Sequence, residues 1–272
     1  MSVPRPAMGR GPAEFAWFAP LGVLIAVSAL LARRSSAPER LYLEQGWRSP
    51  TLARPFGSGE GGVDVAAFVG QSCVRVLLLA AVVAVLGCLL GAPLGAAAAL
   101  RRGRVELLLV RCCDLFQSFP TFLLALCVLS AVDVPARWHL GAVFLLTAWA
   151  PYARLAHAQA KWVAHAEFVM AARAMGAPTA HVVARHLVPH LVGPMTVQLG
   201  SCAAGVVLSE SALGFVGLGP ADGVSLGALL EQGTVAMLID ARVLAIAALA
   251  IIATSGSLQM ASEGLRKRLL PQ

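Results

Sequence analysis

Residues 167–189 read Glu167-Phe-Val-Met-Ala171-Ala172-Arg-Ala-Met-Gly176, nine further residues, then His186-Leu187-Val188-Pro189. The surrounding segment, 161–190, is too polar to cross a membrane and too apolar for a plain linker. Its pattern predicts two short helices. Ala164, Phe168, Ala171 and Met175 recur at helical spacing and make an apolar stripe on the first. Gly176 permits a turn, since glycine takes a positive φ without steric cost. Pro178 suits the first turn of the second helix. That helix carries Val183, Leu187 and Leu191 on one side and His181 and Arg185 on another, and Pro189 is expected to end it or kink it into the next apolar run.

The chain on either side of this segment is apolar. Of 272 residues, 58% are hydrophobic and only 13% are charged, with a mean hydropathy of +0.76. A soluble domain carries about 25% charged residues, and the shortfall is what a bilayer demands, because charge at membrane depth is expensive. Six apolar runs stand out: 15–31, 73–100, 105–131 with Pro120 inside it, 140–155, 191–209 and 241–260. At roughly 20 residues each they predict an all-α integral membrane protein with six spans. The first run could pass for a signal peptide, but Ala32-Arg33-Arg34 offers no small-x-small cleavage site, so it is taken as a transmembrane helix.

The basic residues suggest an orientation. With both termini cytoplasmic, thirteen of the 21 Lys and Arg fall inside, including Arg101, Arg102, Arg104, Arg154, Lys161 and Arg266. The expected organisation is then a cytoplasmic tail 1–13, a first span 14–32, an extracytoplasmic loop 33–71, a core 72–262 that contains the 160–190 loop, and a cytoplasmic tail 263–272.

Several function classes fall away. The net charge of +7 sits in short groups between apolar runs rather than in one stripe, which argues for membrane orientation and against nucleic acid. The six cysteines, Cys73, Cys88, Cys112, Cys113, Cys127 and Cys202, lie mostly in apolar runs without metal-ligand spacing and read as packing residues. His157, His165, His181, His186 and His190 gather in and around the polar loop and read as polar helix positions, so no metal site is expected. No catalytic constellation is evident. The chain has no phosphate-cradling glycine loop and only two lysines, Lys161 and Lys267, so it is not expected to bind ATP.

The spacing from Glu167 through Ala171, Ala172 and Gly176 to Pro189 resembles the EAA loop of ABC-importer permeases. In that family the loop is a coupling helix seated in a groove of the ATPase subunit. Other stretches resemble the dipeptide/oligopeptide/nickel branch: Pro55-Phe-Gly-Ser-Gly-Glu-Gly-Gly-Val-Asp-Val65, Asp114-Leu-Phe-Gln-Ser-Phe-Pro120, Ser209-Glu-Ser-Ala-Leu-Gly-Phe-Val-Gly-Leu-Gly219, and Gly264-Leu-Arg266 before Pro271. The pattern departs at Gly59, at Val63 and at Ser225-Leu226-Gly227, all on the outer side, which leaves the solute open. The resemblance implies a type I permease fold and an ATP-driven importer of di- or oligopeptides, with nickel or another small solute as the alternative. It also implies partners: a second homologous permease chain, two ABC ATPase subunits or domains that use ATP and Mg, an extracytoplasmic solute-binding protein, and the lipid of a bacterial inner membrane. An ion-gradient-driven carrier is the rival of another class; it calls for buried ionisable residues or paired interrupted helices. Glu210, in the family-like run at the end of the fifth span, is the candidate for a translocation or outer-gate role.

Overall fold

Backbone in hydrocarbon must satisfy its own hydrogen bonds, and a helix does so within one segment. A computed structural model of the chain describes residues 16–34, 46–101, 103–176, 178–220 and 224–269, and these form helices, turns and a single isolated β-bridge, Ser58 with Asp64. The tail 1–13, Glu14 and Pro271 lie outside the described residues.

In chain order the helices are α1 (Ala19–Ala32), α2 (Val65–Arg101), α3 (Arg104–Ser118), α4 (Thr121–Ser130), α5 (Arg137–Ala164), α6 (Glu167–Ala174), α7 (Thr179–Val182), α8 (Val188–Phe215), α9 (Leu226–Val235) and α10 (Ala241–Leu269). The segments Val65–Arg101, Val183–Phe215 and Ala241–Leu269 are each long and apolar enough to cross a membrane. Helices α3 and α4 qualify as a pair bent by 70°. Each of the six apolar runs thus contains a helix, and the all-α membrane class holds.

The boundaries differ from the sequence expectation in ways with local causes. Helix α2 begins at Val65, well before Cys73, because the Asp64 carboxylate accepts from the Ala66 and Ala67 amides at 3.0 and 3.4 Å and starts the helix inside the supposed loop. The third run is not one straight helix. Pro120 forces Phe119 into an extended conformation (φ −98°, ψ 128°), and the chain turns there. Helix α5 runs on to Ala164, so Lys161 belongs to its last turn and not to the following loop. Residues 263–269 continue α10 instead of forming a separate tail.

Pro189 neither ends nor breaks its helix. It has no N–H to return to the carbonyl four residues back, and the chain absorbs the loss as a π turn at Val183–Leu187, where the Val188 amide donates to the Val183 carbonyl. Helix α8 continues directly from that turn.

Two packing features position the rest. Helices α2 and α5 lie side by side along Gly87, Gly91 and Gly95. A Cβ on Gly91 would sit 2.2 Å from the Trp149 carbonyl oxygen, and one on Gly95 2.0 Å from that of Ala153. Contacts advance together along both helices, so they run parallel, and the bent α3–α4 pair returns between them in sequence. Small residues at four-residue spacing allow this close approach. The principal core joins α2, α4, α5, α8, α9 and α10 through residues such as Val76, Leu129, Phe144, Leu213 and Leu229. A second core gathers Tyr152 and Val163 of α5, Val169 of α6, Val182, Leu187 and Leu191.

Candidate functional site

The loop singled out by sequence is held by that second core. Helix α6 starts at Glu167, an acidic residue at the positive end of a helix, with the Met170 amide bonded to the Ala166 carbonyl at 3.1 Å. Val169 (0% exposed) and Ala172 (9%) face inward. Phe168 (42%), Met170 (53%) and Met175 (83%) face outward, as does Ala171. Of the predicted stripe, Phe168 and Ala171 form the uncovered face of α6 and Met175 continues it just past the helix end, whereas Ala164 is the half-buried last residue of α5; the two adjacent alanines face opposite ways. Glu167 is exposed beside it.

Gly176 turns the chain at φ +83°, and no heavy atom comes within 4 Å of where its Cβ would be. Glycine is needed there for its backbone, not for space. The Pro178 carbonyl then accepts from the His181 and Val182 amides at 3.0 and 3.2 Å, opening α7. His181 within α7 and Arg185 beyond it are exposed, and Leu187 is buried, as the pattern predicts. Pro189 lies at the start of α8, exposed next to the π turn.

The histidines have a role that spacing did not reveal. The Phe168 ring lies 5.4 Å from His186 and stacks on His190 at 5.6 Å, while Trp162 of α5 lies 6.3 Å from His190. These rings tie α6 to the π turn and to α5. Among the described residues no three His, Cys, Asp or Glu side chains are grouped as metal ligands. Polar contacts brace α3 against the same end of α5: Glu106 pairs with Lys161 at 2.7 Å and lies in hydrogen-bond contact with His157 at 3.0 Å, and Asp114 pairs with Arg154 at 2.9 Å.

Further along α8 a groove of about 230 Å³, apolar over most of its wall but with a polar stripe, opens between α4, α5 and α8. Its hydrogen-bonding residues are Thr121, Thr147, Gln198, Ser201 and Ser209. Thr121 and Thr147 share a bond at 3.3 Å, and the Tyr152 hydroxyl donates to the Gln198 carbonyl at 3.4 Å. This groove is absent from the sequence expectations, although its signal is present in the chain: Gln198, Ser201, Gly205 and Ser209 fall three and four residues apart on one face of an apolar helix.

Glu210 is the neighbour of Ser209 but points elsewhere. It is 1% exposed in the principal core, and neither carboxylate oxygen has a hydrogen-bond partner among the described residues. It does not line the polar groove. At the opposite end of the bundle from the α6 loop, residues 46–64 close over the starts of α2 and α10. Gly57 turns there at φ +75°, the Arg48 amide donates to the Ser58 hydroxyl at 2.8 Å, and Arg242 reaches from Asp240 to the Arg48 carbonyl at 3.4 Å. Asp240 is held below the usual carboxylate range by the Arg242 guanidinium.

Comparison with known proteins fits this architecture. Residues 91–262 match the model of the family described as binding-protein-dependent transport system inner membrane component. A Brucella suis protein provisionally named a peptide transport system permease protein is 30% identical over 92% of this chain and 85% of its own length. The oligopeptide transport system permease protein OppC of Haemophilus influenzae is 28% identical over 80% of this chain and 70% of its own. In fold, a chain of the inward-facing MetNI methionine ABC transporter superposes with a TM-score of 0.61 at 16% identity, covering 75% of this chain and 96% of that one. With a family match over more than half its length, the chain belongs to the binding-protein-dependent transport inner-membrane components, the permease subunits of ABC importers.

Proposed function

We propose that this permease carries di- or oligopeptides, and that α6 docks into the ATPase subunit that drives it. The observation that supports the docking role most is the uncovered face of Phe168, Met170, Ala171 and Met175 on a helix otherwise anchored by Val169 and Ala172. An apolar face with a rigid back suits a separate partner. Peptide specificity rests on the names of the relatives and on the uncharged groove, whose hydroxyls and amide can bond a peptide backbone whatever its side chains.

The arrangement suggests a mechanism. Closure of two ATPase subunits on ATP and Mg moves α6. Val169, Val182 and Leu187 pass that motion to Leu191 of α8, because a packed core shifts as a body. From Leu191 to Ser209 is about 27 Å along the helix at 1.5 Å per residue, so one rigid element joins the loop to the polar groove. With a second permease chain opposite, two such grooves would form the path, loaded by an extracytoplasmic binding protein. The termini and the α6 loop lie on the cytoplasmic side in this scheme, and Glu210 contributes to the outer gate, where a buried carboxyl without a hydrogen-bond partner can gain one as α8 moves.

Gly176→Pro tests the coupling. Proline fixes φ near −65° against the +83° required, so the loop must rearrange while the spans remain. The expected result in proteoliposomes is insertion with loss of binding-protein-stimulated uptake. Normal uptake would sink the role of the loop. Peptide specificity is read separately, by peptide affinity of the cognate binding protein.

A further inference from the structure

We propose that the groove between α2 and α5 binds one anionic diacyl phospholipid, its phosphate held by Arg75 and Arg137 and one acyl chain lying along Leu78, Val82 and Leu86. The groove encloses about 450 Å³, and its remaining wall comes from α5, where Trp138 stands beside Arg137.

The level of the bilayer supports this occupant. From Val65 to Val69 α2 is sheathed by protein. From Val74 onward its outward side chains are exposed and apolar: Val74, Leu78, Val82, Leu86, Leu90 and Leu94. Val74 to Leu94 is about 30 Å at 1.5 Å per residue, the thickness of the hydrocarbon layer. Arg75 thus stands at the edge of the hydrocarbon, and the two helices run parallel, so Arg137 at the start of α5 stands at the same level. Trp138 is 68% exposed there, where an aromatic ring with one polar edge is favoured. The Arg137 guanidinium donates to the Val224 carbonyl at 3.5 Å, which fixes it at the groove mouth.

Charge at one end and bare hydrocarbon along the rest match a lipid with an anionic head. A free phosphate would leave Leu78, Val82 and Leu86 unused, and an acidic protein segment would place polar backbone against them. The groove residues belong neither to the α6 loop nor to the polar groove, and Arg137 also lies within electrostatic reach of the buried Glu210 carboxyl.

Native mass spectrometry of the delipidated full chain in detergent, with phosphatidylglycerol and phosphatidylethanolamine of identical acyl chains, tests the proposal. An arginine near an anionic membrane surface is worth about a fivefold gain, so wild type should retain phosphatidylglycerol at least about fivefold better. R75Q/R137Q should erase the preference, and Arg111→Gln, exposed on α3, should keep it. L78W/V82W fills the groove and should lower retention of both lipids while circular dichroism stays native, which covers the case that the arginine variant fails to fold. Equal retention by wild type, a preference unchanged in R75Q/R137Q, displacement by glycerol phosphate alone, or cross-links placing a second permease chain in the groove would each overturn it.

Discussion

Replacing Met170 and Met175 by serine separates docking from folding. The two side chains are 53% and 83% exposed, so they add little to the packing of the chain itself. Burying a full methionine is worth about 2 kcal/mol, which scales to about 1 and about 1.7 kcal/mol for the areas left uncovered. If an ATPase groove covers both, the pair supplies up to about 3 kcal/mol, or roughly 100-fold in affinity. Area converts incompletely at protein interfaces, and a tenfold loss is the lower bound expected. Phe168 is left intact because its ring also stacks on His186 and His190. The assay is titration of the ATPase onto the permease in nanodiscs, with thermal unfolding of the permease alone as control. M170S/M175S should weaken docking between about tenfold and about 100-fold and leave the midpoint unchanged. Val169→Ala, at a 0% exposed position, should do the converse and cost about 1–3 kcal/mol of stability. A double variant that docks like wild type, or that unfolds early, would refute the assignment of the two faces.

Single sites elsewhere in the fold carry their own expected outcomes. Gly95→Val places atoms where the Ala153 carbonyl lies 2.0 Å away, so it should part α2 from α5, cost more than about 3 kcal/mol and lower the unfolding midpoint in detergent. Asp240 is held below the usual carboxylate range by Arg242, so its contribution is present above about pH 4 and is lost as pH falls through its depressed folded value. That pair is worth about 0.5 kcal/mol after screening, so Asp240→Asn should narrow its gap from wild type below pH 4 in unfolding scans; a gap that widens there would reverse the sign. Gln198→Ala with Ser209→Ala should reduce peptide uptake several-fold while ATPase docking stays at wild-type affinity, as measured on the same nanodiscs.

The membrane class and the six apolar runs were legible because hydrocarbon imposes length and composition together. The α6 loop was legible from Glu167 and Gly176, whose charge and backbone act at the two ends of a helix, and from their spacing to Pro189. The features that escaped were set by contacts between distant segments. Helix α2 begins at Val65 because of one Asp64 cap, in a stretch too rich in glycine to show helical periodicity. The exposed side of α6 depends on which face meets α5 and α8, so the spacing of Phe168 and Met175 gave a stripe but not its direction. Pro189 signalled a break, and the packing of Leu187 and Leu191 on Tyr152 kept the helix going through a π turn. Glu210 was placed by its motif, yet its burial is set by the helices packed around α8.

Ala171 and Ala172 give the sharpest measurement. They are adjacent and chemically identical; Ala171 is uncovered, and Ala172 is 9% exposed and packed inward. Each is changed to cysteine in a chain whose native cysteines are replaced by alanine, and a short thiol cross-linker is applied to the assembled transporter with its ATPase. Docking through the uncovered face of α6 requires a cross-link to the ATPase from Ala171→Cys and none from Ala172→Cys. Cross-links of equal yield from both positions, or from Ala172→Cys alone, would contradict it.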